Sequence, residues 1–139
     1  MKSSYFYYVD VYSAPCYLFV GPRDKFYRYI RRLCKGLENT DGLVPSTWAA
    51  GAFTFQHKDY GTKYVIWMPE FTGSCNEYGA LAHEVLHCAI NILDEVNIDF
   101  KKEHESLTYL MESIYRKFVH QLTVEINKDK ERDAAKADS

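Results

Sequence analysis

The chain reads as a single α+β domain, a small antiparallel or mixed sheet packed against a central helix and further helices. Three observations predict this class. Short runs rich in aromatic and β-branched residues come in two pairs, within 5–20 and 52–68, each pair broken by turn residues. Three other segments, near 23–35, 74–95 and 104–122, repeat apolar residues at helical spacing. Hydrophobic residues make up 47% of the 139, and 16% of the chain is aromatic, enough for one core without disulfide staples.

Residues 5–12 and 16–20 are expected to be strands, with Ser13, Ala14 and Pro15 as the break, and they suit a hairpin. Gly21 and Pro22 end the second strand. Phe26, Tyr29, Ile30, Leu33 and Leu37 then recur at helical spacing, with Gly36 as the stop signal. The other face of this helix carries Lys25, Arg28, Arg31, Arg32 and Lys35. Up to residue 35 the chain has seven basic and two acidic side chains, a local charge of +5, against −7 for the remainder.

A basic face of this kind can attract phosphates. With a net charge of −2 it is expected to be a solvated face, so nucleic acid is not an expected partner.

Residues 38–51 contain Asn, Asp, Gly, Pro and Ser and read as a loop, pinned to the body by Trp48. The runs 52–57 and 63–68 flank Lys58, Asp59, Tyr60, Gly61 and Thr62 and suit an antiparallel hairpin whose free edge could hold an extended peptide. Ser74 and Glu77 have the spacing of a capping box, so a helix should start there and run to about Glu95. Its apolar residues, Leu81, Val85, Leu86, Ala89, Ile90, Ile92 and Leu93, lie almost all round it, which predicts a central, enclosed helix.

The last helix has the stripe Leu107, Leu110, Met111, Ile114, Phe118 and Leu122. The domain is thus expected to span 1–126. Residues 127–139 are charged, without apolar periodicity, and are expected to be frayed or disordered.

Four cysteines, Cys16, Cys34, Cys75 and Cys88, are widely spaced with no C-x-x-C, so buried free thiols are expected. No stretch approaches the roughly 20 apolar residues of a membrane span, and no signal-peptide pattern opens the chain. A cytoplasmic location is the expectation.

Within the 74–95 helix lies His83-Glu84-Val85-Leu86-His87, the H-E-x-x-H pattern. Residues four apart on a helix sit one turn above each other, so both imidazoles can meet one ion with Glu84 beside it. Imidazole nitrogen is a zinc ligand, and a catalytic zinc keeps three protein ligands and one open position. The metal brings the pKa of water toward about 7, within reach of a carboxylate base. His83 and His87 are therefore candidate Zn2+ ligands and Glu84 the candidate general base. The third donor is open at this point, with His104 and Glu105 as adjoining candidates at the start of the last helix.

The order of strands, helix, hairpin, H-E-x-x-H helix and a helix opening with glutamate resembles the zincin metallopeptidases, in particular the glutamate-ligand gluzincins. The residues carrying the likeness are His83, Glu84 and His87 with Glu105-Ser-Leu-Thr-Tyr109. The chain is similar, from about Tyr8 to Phe118, to small tailed-bacteriophage proteins that have an H-E-x-x-H helix followed by E-x-x-x-Y. This resemblance implies that His83, His87 and Glu105 bind zinc, that Glu84 is the base, and that Tyr109 orients a ligand histidine.

A three-histidine site with His104 is the alternative, because Glu105 lies opposite the apolar stripe and His104 nearer its edge. His57, Tyr60, Tyr64 and His120 are candidates for stabilising an oxyanion. The expected function is zinc-dependent hydrolysis of a peptide or protein substrate. The alternative is a catalytically weak or inactive zincin-like phage protein that binds a host partner.

Overall fold

A computed structural model describes residues 1–35, 37, 40, 42–59 and 61–138. The expected helix stop at Gly36 and the candidate Tyr60 lie outside the described residues. The elements in order are β1 (Ser4–Val9), a 3-10 turn (Asp10–Tyr12), β2 (Ala14–Val20), α1 (Arg23–Leu33), β3 (Gly51–His57), β4 (Gly61–Met68), α2 (Cys75–Glu95) and α3 (His104–Ala137). The α+β class and the mixed sheet are as the sequence predicts.

Both expected hairpins form, and a parallel pairing joins them. β1 runs antiparallel to β2, β3 antiparallel to β4, and β2 parallel to β4, giving the order β1-β2-β4-β3. The inner strand β4 is covered on both faces, which is why it carries the unbroken apolar run Tyr64, Val65, Ile66, Trp67 and Met68 rather than an alternating one. Tyr64, Ile66 and Met68 join the larger core under α2 and α3, whereas Val65 and Trp67 join the smaller core under α1, with Phe19, Phe26 and Ile30. The sheet is therefore the middle of three layers.

α2 begins where the capping box predicts. The Ser74 side chain accepts from the Glu77 backbone, and the Glu77 side chain accepts from the Ser74 backbone. It ends in a Schellman arrangement: Asn97 takes the left-handed conformation (φ 60°), Ile98 N donates to Leu93 O at 2.9 Å and Asn97 N to Asp94 O at 3.1 Å. Leu81, Val85, Cys88, Ala89, Ile92 and Leu93 are buried against the sheet and α3. Contrary to the expected full enclosure, the face bearing His83 and His87 is exposed.

Along α3, Leu110, Ile114, Phe118 and Leu122 are buried, as their spacing predicts, and Leu107 and Met111 are partly buried. Ile126 is the last of the α3 side chains packed on the core. Residues 127–137, expected to be frayed or disordered, instead continue α3 as an exposed extension. Their Lys, Glu, Arg and Ala are good helix formers. Lys128 pairs with Glu125, Arg132 with Asp129, and the amino terminus with Asp129 at 3.3 Å.

Of the cysteines, Cys16 and Cys88 are buried, Cys34 is partly buried and Cys75 is exposed; all four are free. Burial of the thiols thus holds for two. Among the described residues no helix is long and apolar enough to cross a membrane.

Candidate metal centre

Helical spacing alone brings the two histidines together. Residues four apart share a face, and the His83 and His87 rings meet edge-on at 4.7 Å between centroids, with their Nε2 atoms 3.1 Å apart. Either one imidazole donates its N–H to the other, or both Nε2 lone pairs point at a shared ion. With zinc–nitrogen bonds of about 2.05 Å, a 3.1 Å separation closes an angle of about 98° at the metal, near tetrahedral. The pair thus fits two positions of a zinc site.

Glu84 follows His83 by one residue and is turned inward by about 100°, so it is buried while His83 and His87 are exposed. Burial pushes its carboxyl above the ordinary value, and the charges of His83 and His87 draw it back down. A carboxyl so placed holds a proton more readily than one in water.

His83, Glu84 and His87 line one cleft of about 760 Å³ with Trp48, Ala49, Ala50, Ala52, Ala80 and Asn91. The cleft exists because small residues line it: Ala49, Ala50 and Ala52 on the approach to and start of β3, and Ala80 one turn before His83. Trp48 forms one rim, its ring 6.0 Å from that of Phe53 and its carbonyl accepting from Arg23 Nη2 at 3.3 Å. The expected pinning is real, yet the ring remains 45% exposed. Asn91 was not among the sequence candidates. Its position one turn after His87 was the available signal, since 83, 87 and 91 share a helix face.

The third ligand is not brought to this cleft. Glu105, in the first turn of α3, is exposed and lines another cleft with Tyr109, Ser113 and residues 7–12 of β1 and the 3-10 turn. Tyr109 is 67% exposed and lies there too, not behind either histidine. His104 is exposed beside Glu105, and its carbonyl accepts from Thr108 Oγ1 at 2.7 Å. Among the described residues, no three His, Cys, Asp or Glu side chains stand close enough together to hold a metal ion. The histidine pair fits zinc, and the full three-ligand set does not assemble.

The described oxyanion candidates, Tyr64, His57 and His120, are also elsewhere. Tyr64 is buried in the core with its hydroxyl pushed up to about 12, chiefly by burial. His57 lies at the end of β3 and lines a cleft with Cys34 and Lys63, and His120 lines one on the α3–β1 side with Tyr7 and Glu112. The chain matches no family model, no curated protein and no solved structure.

Proposed function

We propose that this protein is a zinc-dependent metallopeptidase that hydrolyses a peptide bond in the cleft between α2 and the start of β3. The observation that carries the reading is the 3.1 Å approach of the two Nε2 atoms beside a buried Glu84. Zinc held by His83 and His87 would supply Lewis-acid polarisation of a carbonyl and acidification of water. Glu84 takes the proton of the attacking water and delivers it to the leaving amine, a task suited to a carboxyl whose pKa burial has raised. β3 is a sheet edge, so its outer main-chain groups can pair with an extended peptide, and Ala50 and Ala52 leave room for it.

The resemblance to gluzincins assigns the third ligand to Glu105. That assignment requires the first turn of α3 to reach the histidine cleft, so Glu105→Ala tests it: loss of zinc keeps Glu105 in the ligand set, and full retention removes it.

Zinc content and hydrolysis of a quenched-fluorescent peptide library test the whole reading. Wild type and Glu84→Gln should each hold about one zinc per chain, His87→Ala none, and only wild type should turn over. Wild type that takes up no zinc on reconstitution overturns the proposal, as does an equally active Glu84→Gln.

The lack of a third donor beside the histidines, among the described residues, favours one further reading. In it the protein is a catalytically weak or inactive zincin-like phage protein that binds a host partner. Capture of the same partner by wild type and Glu84→Gln, with no hydrolysis by either, supports that reading over the enzyme.

A further inference from the structure

The α1 side of the sheet, away from the histidine cleft, combines two features that lie apart in the sequence. The first is a basic cleft of about 490 Å³ lined by Lys25, Arg28, Arg31 and Arg32 of α1 with Ser3 and Phe19; among the described residues no acidic side chain lines it. Among the described residues, Arg28 has Asp24 at 3.4 Å, an exposed pair of little strength, and Arg31 donates to the neutral Thr40 Oγ1 at 2.7 Å. Lys25 and Arg32 have no ion pair among the described residues.

The second feature is an uncovered aromatic surface on the β1–β2 half of the sheet. α1 packs over Phe19, Trp67 and Phe53, leaving β1 outside its cover. Tyr5, Tyr7 and Val9 face the α2–α3 core, so Phe6 and Tyr8 face the α1 side, 48% and 44% exposed. Phe6 lies against its cross-strand partner Tyr17 at 5.0 Å, and Phe19, two residues along β2 on the same face, floors the basic cleft and stacks on Tyr29 at 4.8 Å. Phe6, Tyr8 and Tyr17 thus share a sheet face with Phe19, the floor of the basic cleft.

We propose that this surface binds single-stranded nucleic acid, with Lys25, Arg28, Arg31 and Arg32 on phosphates and Phe6 and Tyr8 stacking on bases. Charge complementarity selects a polyanion. Exposed rings beside the cations select one with accessible flat faces, which a duplex buries and an acidic peptide lacks. The basic helix face, read from the sequence as merely solvated, gains this role only because folding sets it beside β1.

Fluorescence anisotropy of a labelled oligo(dT) of about twelve nucleotides, titrated with the full chain between about 50 and 200 mM salt, tests the proposal. Four phosphate contacts to a single strand predict a log–log salt slope of about −3, and Arg32→Ala should make it shallower by about 0.7. Phe6→Ala should weaken binding about tenfold, and Phe6→Trp should retain it. Both positions are on the surface, so unchanged melting temperatures certify the fold.

No binding at the lowest salt overturns the proposal. Equal affinity for a duplex of the same length, unaffected by Phe6→Ala, overturns it in favour of plain electrostatic attraction. Tighter binding of poly-glutamate than of oligo(dT) overturns it in favour of an acidic protein partner.

Discussion

Replacing Glu77 by alanine should lower the melting temperature by about 5 °C at pH 7. One carboxylate oxygen of Glu77 accepts from Thr72 N at 2.7 Å, Thr72 Oγ1 at 2.9 Å, Gly73 N at 2.9 Å and Ser74 N at 3.0 Å. Three backbone donors at the entrance to α2 lose a charged acceptor in the variant. Loss of a cap costs about 1 kcal/mol, and loss of a negative charge in the first turn of a helix about 0.5 more. Unfolding entropy of about 2.1 cal/mol/K per residue, over 139 residues, turns about 1.5 kcal/mol into about 5 °C.

The effect carries a pH signature. Burial alone would raise the Glu77 carboxyl, but hydrogen bonds from Ser74 and Thr72 outweigh it and hold the group below its ordinary value of about 4.5. As pH falls the unfolded chain takes up this proton first. The stabilisation is therefore complete above the unfolded value and lost as pH drops through the lower native one. Far-UV circular dichroism melts of wild type and Glu77→Ala, run in parallel from about pH 7 to pH 2.5, should show a gap that closes at the acid end. A gap below about 1 °C at pH 7, or one undiminished at the lowest pH, would refute the reasoning.

Zinc at about a hundredfold excess over its dissociation constant should stabilise wild type by about 2.7 kcal/mol, or about 9 °C, and leave His87→Ala unmoved; equal shifts in both would place the metal elsewhere. Phe118, fully buried on α3, should cost about 3–5 kcal/mol when cut to alanine, a fall of at least about 10 °C; a fall under about 3 °C would mean that α3 is loosely packed. Under a thiol reagent, exposed Cys75 should react at once and Cys34 slowly, its thiol pushed up by burial. Cys88, held well above the ordinary thiol value by its hydrogen bond with Cys16 and by burial, should react only on unfolding, together with Cys16. Mass spectrometry of the labelled native protein reads all four, and early labelling of Cys88 would contradict the packing of α2 on β2.

Several features could be read directly because their causes are local. The capping box of Ser74 and Glu77 places the start of α2, and the spacing of Leu110, Ile114, Phe118 and Leu122 gives the buried stripe of α3. The turn residues between β3 and β4 announce the hairpin. In the candidate site, the meeting of His83 and His87 is likewise local, one helical turn and nothing more. α2 is open on the histidine face although its apolar residues reach nearly all round it, because Ala49, Ala50 and Ala52 opposite are too small to close over the histidines.

What the sequence by itself determined, then, is the conformation of each short segment and the pairing of neighbours joined by a tight turn, since these follow from backbone preference and side-chain period. Only the tertiary structure decided that β2 and β4 pair in parallel, that Glu105 and Tyr109 face the β1 cleft rather than the histidines, and that Phe6 and Tyr8 stand uncovered on the sheet face whose Phe19 floors the basic cleft of α1. Each depends on how remote apolar surfaces share one core. Spacing along the chain does not encode that, because a helix keeps its period whichever way it is turned, and the packing of the whole sets the turn.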